Sequence, residues 1–433
     1  NKKFKFTYIV AGIMILLAVY VYFFEQGERK SGTESIKIFD VKKEDLKKFE
    51  IIKNHTKESV ICEKTGSEDW KMLKPKQYEL EKSELDGVIN SISNMSIDRK
   101  LEKAIDITVY ELDKPSYTIN FTVKDKNYSL LIGAKNPTST FYYVKDAEKK
   151  DIYTAYSYGI DALKKSAKDL RKKTILDIVT EKVTKLNIKL EKKELSFSKN
   201  EENKWMIIPY NFMAEKDPVE TLINKLKDLK ANDFIEDSAS DLKKYALDKP
   251  IATMSVTQGP DKPVVTLCIG KKLKDKEMDY AKTADLPVVY AIEHNFATPF
   301  DKTYNDFRDK RIFSFKNEDI AEAEILKGKK RIFARKDRLG KFKIEEPVKK
   351  LADLPFNGLV YEISIVNVNK FEDDSGKRLD KYGLKNPQYI VSLYMVVDNE
   401  KKTKARLLIG NKDSSNKDQE MYFAKTDTLE SVY

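Results

Sequence analysis

The stretch Tyr110-Glu111-Leu112-Asp113-Lys114-Pro115 occurs three times in this chain of 433 residues. It returns at residues 245–250 as Tyr-Ala-Leu-Asp-Lys-Pro and at residues 382–387 as Tyr-Gly-Leu-Lys-Asn-Pro. Copies this far apart indicate duplicated domains, because the units of solenoid proteins return after roughly 20–50 residues. We call the shared pattern the Tyr-x-Leu-x-x-Pro motif. It predicts tandem domains of one design.

Other residues recur with the motif, which supports duplication. Four pairs keep a separation of 135 to 137 residues: Trp70 and Trp205, Gly133 and Gly270, Tyr153 and Tyr290, and Arg171 and Arg308. We therefore divide the chain into repeat one (residues 36–175), repeat two (176–313) and an incomplete repeat three (314–433). Repeat three has Phe342 in place of the tryptophan and no copy of the closing helix and Asp-x-Arg element. We expect either a longer protein or a truncated last repeat.

Each repeat reads as an α+β domain of mainly antiparallel sheet with one amphipathic helix. In repeat one, residues 49–53, 59–64 and 70–73 are short runs rich in β-branched and aromatic residues, which predict a small meander. Apolar residues then recur at steps of three and four from Leu80 to Met95, as on one face of a helix, with Ser83 as its N-cap. Strands between residues 117 and 154 form a second, four-stranded set.

Two recurring features have a structural interpretation. In the Tyr-x-Leu-x-x-Pro motif, a short polar helix ends, Leu enters the core and Pro prevents continuation of the helix. Gly133, Gly270 and Gly410 lie at strand ends, where we expect them to supply a turn conformation that other residues resist.

Arg171 and Arg308 are predicted to form inter-repeat hydrogen bonds to backbone or Asp. The alternative is that each binds a carboxylate or phosphate through two hydrogen bonds.

The N-terminus predicts a transmembrane signal anchor at residues 1–30. Residues 6–24 contain no charge, which is long enough for a helix to cross a bilayer core. Lys2, Lys3 and Lys5 precede this run, so the positive-inside bias favours a cytoplasmic N-terminus. A cleaved signal peptide is the rival interpretation, but the run is long and lacks a small-residue cleavage site. We expect a single-pass protein of the cytoplasmic (inner) membrane, with its bulk periplasmic or extracellular.

The amino-acid composition argues against one class of partner, nucleic acids. The formal net charge is +11, a mild excess for a chain with 35% charged residues. It lacks the concentrated basic and aromatic pattern of nucleic-acid-binding proteins, so we expect no nucleic-acid partner. The two cysteines, Cys62 and Cys268, fall in different repeats, and a bridge between them is not expected.

Chemistry-bearing motifs are missing from the sequence. It has no phosphate-binding loop, dinucleotide fingerprint or nucleophile elbow. His55 and His294 stand alone, without the ligand spacing of a zinc site. The adjacent acids Glu345 and Glu346, and Asp373 and Asp374, are best read as solvated charges, since neighbouring strand residues point apart. We predict no catalytic, metal or cofactor site, and therefore no enzyme.

One basic cluster lies in repeat three, between Lys327 and Lys343, with Asp337 as the single acid. Its candidate docking residues are Lys329, Lys330, Arg331, Arg335, Lys336 and Arg338. The first interpretation is a solvated edge hairpin whose lysines guard against edge-to-edge pairing. The second is a docking surface for an anionic envelope component such as lipid headgroups, an acidic polymer or an acidic protein face.

The ordered set of a Trp strand ending in Pro, a helix, the Tyr-x-Leu-x-x-Pro motif, an Ile-Gly strand end, a Tyr strand and Asp-x-Arg resembles the bacterial domain-of-unknown-function 4340 (DUF4340) family. Glu111 and Ala246 replace the more usual Gly of the motif. The resemblance implies an N-terminal anchor, tandem units and genes beside those of ABC transporters related to gliding-motility systems. It therefore implies an extracytoplasmic scaffold or substrate-handling accessory subunit, with ABC permease and ATPase subunits and the membrane as partners.

An alternative function is an envelope glycan or peptidoglycan binding module. Some of the strand aromatics Tyr142, Tyr143 and Tyr280 would then face outward, because alternate strand residues lie on opposite faces of a sheet. Packing within the core accounts for most such aromatics, and the two hypotheses stay open at the level of sequence.

Overall fold

The computed structural model of the protein describes residues 36–66, 68–102, 106–260, 262–313, 315–346, 355–397, 401–415 and 420–433. The predicted anchor at residues 1–30 lies outside the described residues. Among those described, no helix combines the length and the apolar character that crossing a bilayer requires. The chain divides into two compact units, Asn1–Lys173 and Thr174–Tyr433.

Repeat one forms an antiparallel sheet of eight described strands with three helices. The strands are β1 (Leu46–Lys53), β2 (Glu58–Lys64), β3 (Trp70–Lys74), β4 (Ile97–Lys100), β5 (Tyr117–Val123), β6 (Lys126–Lys135), β7 (Phe141–Asp146) and β8 (Tyr153–Tyr156), in the spatial order β3-β2-β1-β5-β6-β7-β8-β4. The helices are α1 (Lys82–Ser93), α2 (Ser157–Leu163) and α3 (Ala167–Leu170).

Repeat two follows the same plan with nine described strands. They are β9 (Lys185–Leu190), β10 (Lys193–Lys199), β11 (Trp205–Ile208), β12 (Phe212–Met213), β13 (Asp233–Glu236), β14 (Ala252–Thr257), β15 (Val265–Lys272), β16 (Met278–Thr283) and β17 (Val289–Glu293). Their order is β12-β11-β10-β9-β14-β15-β16-β17-β13, and the helix is α4 (Lys216–Lys227). The closing residues form short 3₁₀ turns in place of α2 and α3.

Repeat three contains six described strands and one helix. They are β18 (Ile320–Lys327), β19 (Lys330–Lys336), β20 (Phe342–Glu346), α5 (Phe356–Ser364), β21 (Tyr389–Val397), β22 (Lys401–Asp413) and β23 (Met421–Thr426). The spatial order is β20-β19-β18-β21-β22-β23. The fold is therefore dominated by antiparallel sheets with few helices, as the sequence predicts.

The first meander and the second set of strands are one continuous sheet, which corrects the prediction of two sets. β1 pairs with β5, so that Phe49 lies opposite Phe121. The same central pairing joins β9 to β14 and β18 to β21. Sequence periodicity predicts which segments are strands, but it does not reveal that strands some 70 residues apart are neighbours.

The core of each repeat lies between the helix and one face of the sheet. In repeat one, Val88 and Ile89 of α1 are buried in one cluster with Ile119 and Phe121 of β5. Each such side chain contributes roughly 1.5–3 kcal/mol when it is fully buried. The predicted amphipathic helix is confirmed, but its N-cap is Glu81, which places Ser83 inside the first turn.

The Tyr-x-Leu-x-x-Pro motif forms the same turn in repeats one and two. A 3₁₀ turn ends at Tyr110 and at Tyr245, and the next residue, Glu111 or Ala246, has a left-handed backbone with φ of 53° or 55°. Gly383 has φ of 69° at this position in repeat three. The motif's Leu is buried in all three repeats, as predicted. The usual glycine is explained by the positive φ, which L-residues adopt at a cost.

The recurring strand glycines are required for space, so the prediction of a turn conformation was wrong. Gly133 and Gly270 lie inside strands at a bulge. A Cβ on Gly270 would lie 2.1 Å from the carbonyl oxygen of Tyr245, and one on Gly410 equally close to that of Tyr382. Real Cβ atoms do not approach so closely. The strand glycine therefore leaves room for the carbonyl oxygen of the motif's tyrosine.

Candidate functional site

A groove lies beside Trp70 in repeat one, between the edge strand β3 and the start of α1. Its volume is about 1260 Å³. Trp70, Tyr78 and Leu80 provide apolar walls, and charged side chains of both signs surround them. Lys172 donates to Glu79 at 2.9 Å across this groove. Trp70 also packs on Phe49, with ring centroids 5.5 Å apart, which fixes the orientation of the indole.

Repeat two contains the corresponding groove beside Trp205, with a volume of about 750 Å³. Trp205 is buried, and its Nε1 has no hydrogen-bond partner within the part of the chain that the structure describes. Arg311 and Asp309 form an ion pair on the rim. Although burial acts in the opposite direction, the hydrogen bonds and charge of Arg311 hold the pKa of Asp309 below its usual value.

In every repeat a lysine lies opposite the aromatic residue at the tryptophan position. Lys64 pairs across the strands with Trp70, Lys199 with Trp205, and Lys336 with Phe342. The ammonium groups of Lys199 and Lys336 lie 5.1 and 5.4 Å from the ring centroids, within the range of cation–π attraction. The strand register therefore confirms that Phe342 occupies the tryptophan position.

The grooves have the character of recognition surfaces. Each has an apolar centre edged by charges of both signs: Trp70 and Tyr78 are partly exposed in repeat one, and Met213 lies beside the buried Trp205 in repeat two. Interfaces between proteins have such an apolar centre with a polar rim. Among the described residues, no group of His, Cys, Asp and Glu is arranged to hold a metal ion. We therefore take the two grooves as candidate binding sites for a polypeptide partner.

Arg308 lies in a buried junction between repeats two and three. Its side chain is 4% exposed, and Nη1 donates to Asp374 at 2.5 Å while Nη2 donates to Ser431 at 2.8 Å. The guanidinium is stacked between Phe212 and Phe371, at 3.7 and 3.5 Å from the ring centroids. The predicted inter-repeat hydrogen bond from arginine to aspartate is confirmed for this residue.

Tyr304 completes the junction on the side of repeat two. It donates to Asp374 at 2.9 Å, and it stacks on Tyr210 with ring centroids 4.5 Å apart. Burial and the hydrogen bond to Asp374 raise the pKa of Tyr304. Arg171, the counterpart of Arg308 in repeat one, packs on Tyr78 with its guanidinium 4.1 Å from the ring centroid.

The basic cluster of repeat three does not form one patch. Arg331 contacts Glu324 and Glu346, and Arg335 contacts Glu322 and Glu345. Lys336 donates to the backbone carbonyls at positions 317 and 318. These three cations of β19 therefore have partners within repeat three.

The other three candidate docking residues lie at the two ends of the strand. Lys329 and Lys330 are exposed at the turn before β19, and Arg338 is exposed at the turn after it. β19 has seven residues, so its two ends lie roughly 20 Å apart at the usual rise per residue, and Arg338 lies beyond the far end. β19 is also not an edge strand, because it pairs with β20 on one side and β18 on the other. The cluster thus lies on an inner strand, and its free charges are far apart.

The adjacent acids and His294 have structural partners. Glu345 and Glu346 belong to the arginine pairs of β19, and Asp374 accepts from Arg308. His294 Nδ1 lies 2.8 Å from Asp279 Oδ1. Cys62 and Cys268 are free thiols, as expected, and burial raises the pKa of Cys62 to about 12.

The aromatic residues of the glycan hypothesis are used inside the repeats. Tyr142 is buried and donates to Asp161 at 2.7 Å. Tyr143 packs on Tyr110, with ring centroids 4.6 Å apart, and Tyr280 packs edge-on against the motif residue Tyr245. Glycan binding stays a prediction, but these three rings do not form an open platform for it.

Comparison with known protein families finds the same family twice in the chain. Residues 70–209 and 205–354 each match the model of one family, described as Domain of unknown function (DUF4340). These tandem matches span more than half of the chain, and each begins at the tryptophan strand. The chain belongs to the DUF4340 family. No curated protein and no solved structure matches it.

Sequence reasoning missed the grooves and the junction of this DUF4340 chain. The recurrence of Trp70 and Trp205 marks the strands that line the grooves, but by itself it does not indicate a groove. Phe212 and Phe371 give no comparable signal, since their meeting around Arg308 depends on how repeats two and three pack. The acidic partners of β19 lie on β18 and β20, and finding them requires the strand register.

Proposed function

We propose that this DUF4340 chain is a membrane-anchored scaffold in the extracytoplasmic space and an accessory subunit of an ABC transporter related to gliding-motility systems. Two features of the sequence support the proposal. The uncharged residues 6–24 have the length of a membrane anchor. The DUF4340 resemblance links such anchored tandem units with ABC permease and ATPase subunits.

The observation that carries the scaffold proposal is the Arg308 junction. A buried arginine that is hydrogen-bonded to a carboxylate and stacked between two rings fixes the domains that it joins. Domains within a chain move relative to one another by default unless their interface is large and well packed. Repeats two and three belong to one compact unit, as suits a rigid arm that holds a partner at a set distance.

The grooves beside Trp70 and Trp205 supply the chain with contact sites. They repeat the same tryptophan strand and the same facing lysine at two points of the chain. Sites repeated along one chain can bind one partner jointly, because the second contact forms at a high effective concentration. We propose that the grooves bind the extracytoplasmic loops of the permease. The ATPase would then be held in the complex by its own contact with the permease.

The test is purification of the full chain from its native membrane in mild detergent, followed by mass spectrometry. The proposal predicts recovery of ABC permease and ATPase subunits. Reversing the exposed groove charges Lys216 and Asp217 should reduce that recovery. The matched control reverses Lys227 and Asp228 at the other end of α4 and should retain the partners. A parental chain that purifies alone, from membranes that contain those subunits, would overturn the proposal.

A further inference from the structure

Three aromatic side chains lie next to one another at the surface of repeat one. They come from the start of β7, the end of β8 and the start of α2. The ring centroids of Phe141 and Tyr156 are 4.9 Å apart, and those of Tyr156 and Tyr158 are 5.8 Å apart. Tyr156 is 36% exposed and Tyr158 is 69% exposed. We call these three residues the aromatic patch, and exposed patches of this kind mark contact sites with a membrane or another molecule.

The fold of a repeat does not require these rings. In repeat two the strand register places Met278 and Glu293 where the patch has its first two rings. Asn295 stands at the third position, 137 residues after Tyr158. Glu293 forms an ion pair with Lys225 of α4 at 3.4 Å. The same surface is thus charged in repeat two and aromatic in repeat one, so packing of the shared fold does not explain the rings.

The aromatic patch adjoins the segment through which repeat one continues toward the predicted anchor. Ser96 accepts a hydrogen bond from the hydroxyl of Tyr158 at 2.7 Å, and its carbonyl oxygen accepts from the amide of Tyr156. A cavity of about 300 Å³ is lined by Ser96 and by residues 36–39. Ile36 is 40% exposed there. The patch therefore lies on the side of repeat one from which the chain leads to the anchor.

Repeat one is fixed to this segment and lies within a short reach of the anchor. Phe39 is buried and packs edge-on against Phe121, with ring centroids 5.1 Å apart. Eleven residues separate Phe24, the end of the uncharged run, from Ile36. A chain of that length spans at most roughly 40 Å. The aromatic patch is therefore never far from a bilayer that residues 6–24 cross.

We propose that the aromatic patch of repeat one lies in the headgroup region of the bilayer that holds the anchor. Tyrosine is enriched at this level of membranes, because its ring has an apolar body and a polar hydroxyl. The anchor keeps the patch at a high effective concentration near the lipid, so a weak contact is enough to hold repeat one at the membrane surface. This inference rests on the membrane-anchored part of the proposed function and does not depend on the transporter subunits.

The test measures the depth of the patch in nanodiscs of phosphatidylcholine and phosphatidylglycerol that carry the full chain. Tyr158→Trp, in a background of Trp70→Phe and Trp205→Phe, places a single indole at the patch. Because interfacial rings lie beside the acyl chains, its fluorescence should fall at least about twofold when lipids with brominated acyl chains replace the ordinary ones.

The native Trp70, read alone in a Trp205→Phe chain, is the internal control for this measurement. It belongs to β3, which is six strand spacings from β8 in the same sheet, or roughly 29 Å at the usual distance between strands. Its fluorescence should not change with bromination of the lipid.

Two variants of equal charge separate insertion of the patch from mere nearness to the membrane. Adding Tyr156→Glu supplies the residue that repeat two carries at that place, and it should remove most of the quenching, because a carboxylate opposes burial beside acyl chains. Adding His55→Glu at the turn between β1 and β2 makes the same change in charge. It should leave the quenching as it is.

The outcomes separate this inference from the proposed function. A chain that does not co-purify with the nanodiscs would overturn the anchor and this inference together. A chain that stays on the nanodiscs without quenching of the Tyr158→Trp indole would overturn this inference alone, and would leave the rings to a polypeptide or a glycan. Equal quenching at Trp70, or equal effects of Tyr156→Glu and His55→Glu, would overturn it as well.

Discussion

Repeats two and three contain the same turn motif, the same strand glycine and the same helix, yet they bury that helix differently. Leu222 is buried in one cluster with Phe296, Phe300 and Phe307, whereas Leu359 is 43% exposed. The sheet has nine described strands in repeat two and six in repeat three. The comparison shows two parts in repeats one and two: a half-sheet with its helix, which repeat three shares, and a closing segment (residues 154–171 or 291–308) that finishes the sheet and packs on the helix.

The largest expected effect concerns the junction that joins the two repeats. Arg308→Ala should lower the free energy of unfolding of repeats two and three by about 3–5 kcal/mol. It removes a buried guanidinium packed between Phe212 and Phe371, and it leaves the partly exposed Asp374 without its counter-charge. Denaturant unfolding, followed by Trp205 fluorescence in a Trp70→Phe background, measures the change. The matched variant is Arg171→Ala. A loss below about 1 kcal/mol for Arg308→Ala would show that the junction contributes little.

The second prediction tests the helix face directly. Leu222→Ala should cost about 2–4 kcal/mol, since it leaves a cavity under Phe296 and Phe300. Leu359→Ala should cost less than about 1 kcal/mol, because that residue is already 43% exposed to solvent. The same unfolding assay compares them. Equal costs would contradict the assignment of a covered and an open face.

The third prediction separates the compensated and the free charges of β19. Arg335→Glu should destabilise repeat three by about 1–2 kcal/mol, because it places a second carboxylate beside the buried Glu322. Lys330→Glu at the exposed turn should change stability by less than about 0.5 kcal/mol. Thermal unfolding of both variants gives the measurement. Equal changes in stability for the two variants would indicate that all the cations of the cluster are solvated.

The smallest expected effect compares the turn motif between repeats. Ala246→Gly should stabilise repeat two by about 1 kcal/mol, because Ala246 holds a left-handed conformation that glycine adopts freely. Gly383→Ala should do the opposite, and its Cβ would also meet the side chain of Asn411. A neutral Ala246→Gly variant, measured by denaturant unfolding, would argue against strain at this turn.

Sequence patterns predicted the units and their elements, but not how distant strands and side chains meet. The spacing of Trp70 and Trp205 and the helical stripe between Leu80 and Met95 both correspond to real elements. These signals are local or repeated, so one chain is enough to read them. The glycine contact with the motif carbonyl is different, because Gly270 and Tyr245 meet only in the folded sheet.

The candidate site was less predictable for the same reason. The carboxylates that compensate Arg331 and Arg335 lie on neighbouring strands, where only the register places them opposite the arginines. The rings around Arg308 come from residues 212 and 371, on either side of a domain junction. Packing of this kind has no periodic signature in sequence.

The most direct test of the two-part account is hydrogen exchange of the 433-residue chain, read at single residues. Asp279 in β16 lies opposite Ile292 of β17, whereas its counterpart Tyr422 lies in the edge strand β23. The account predicts that the amide of Tyr422 exchanges at least about a hundredfold faster than that of Asp279, because local opening is easiest where pairing is missing. Equal protection of the two amides would contradict the claim that repeat three lacks a closing segment among the described residues.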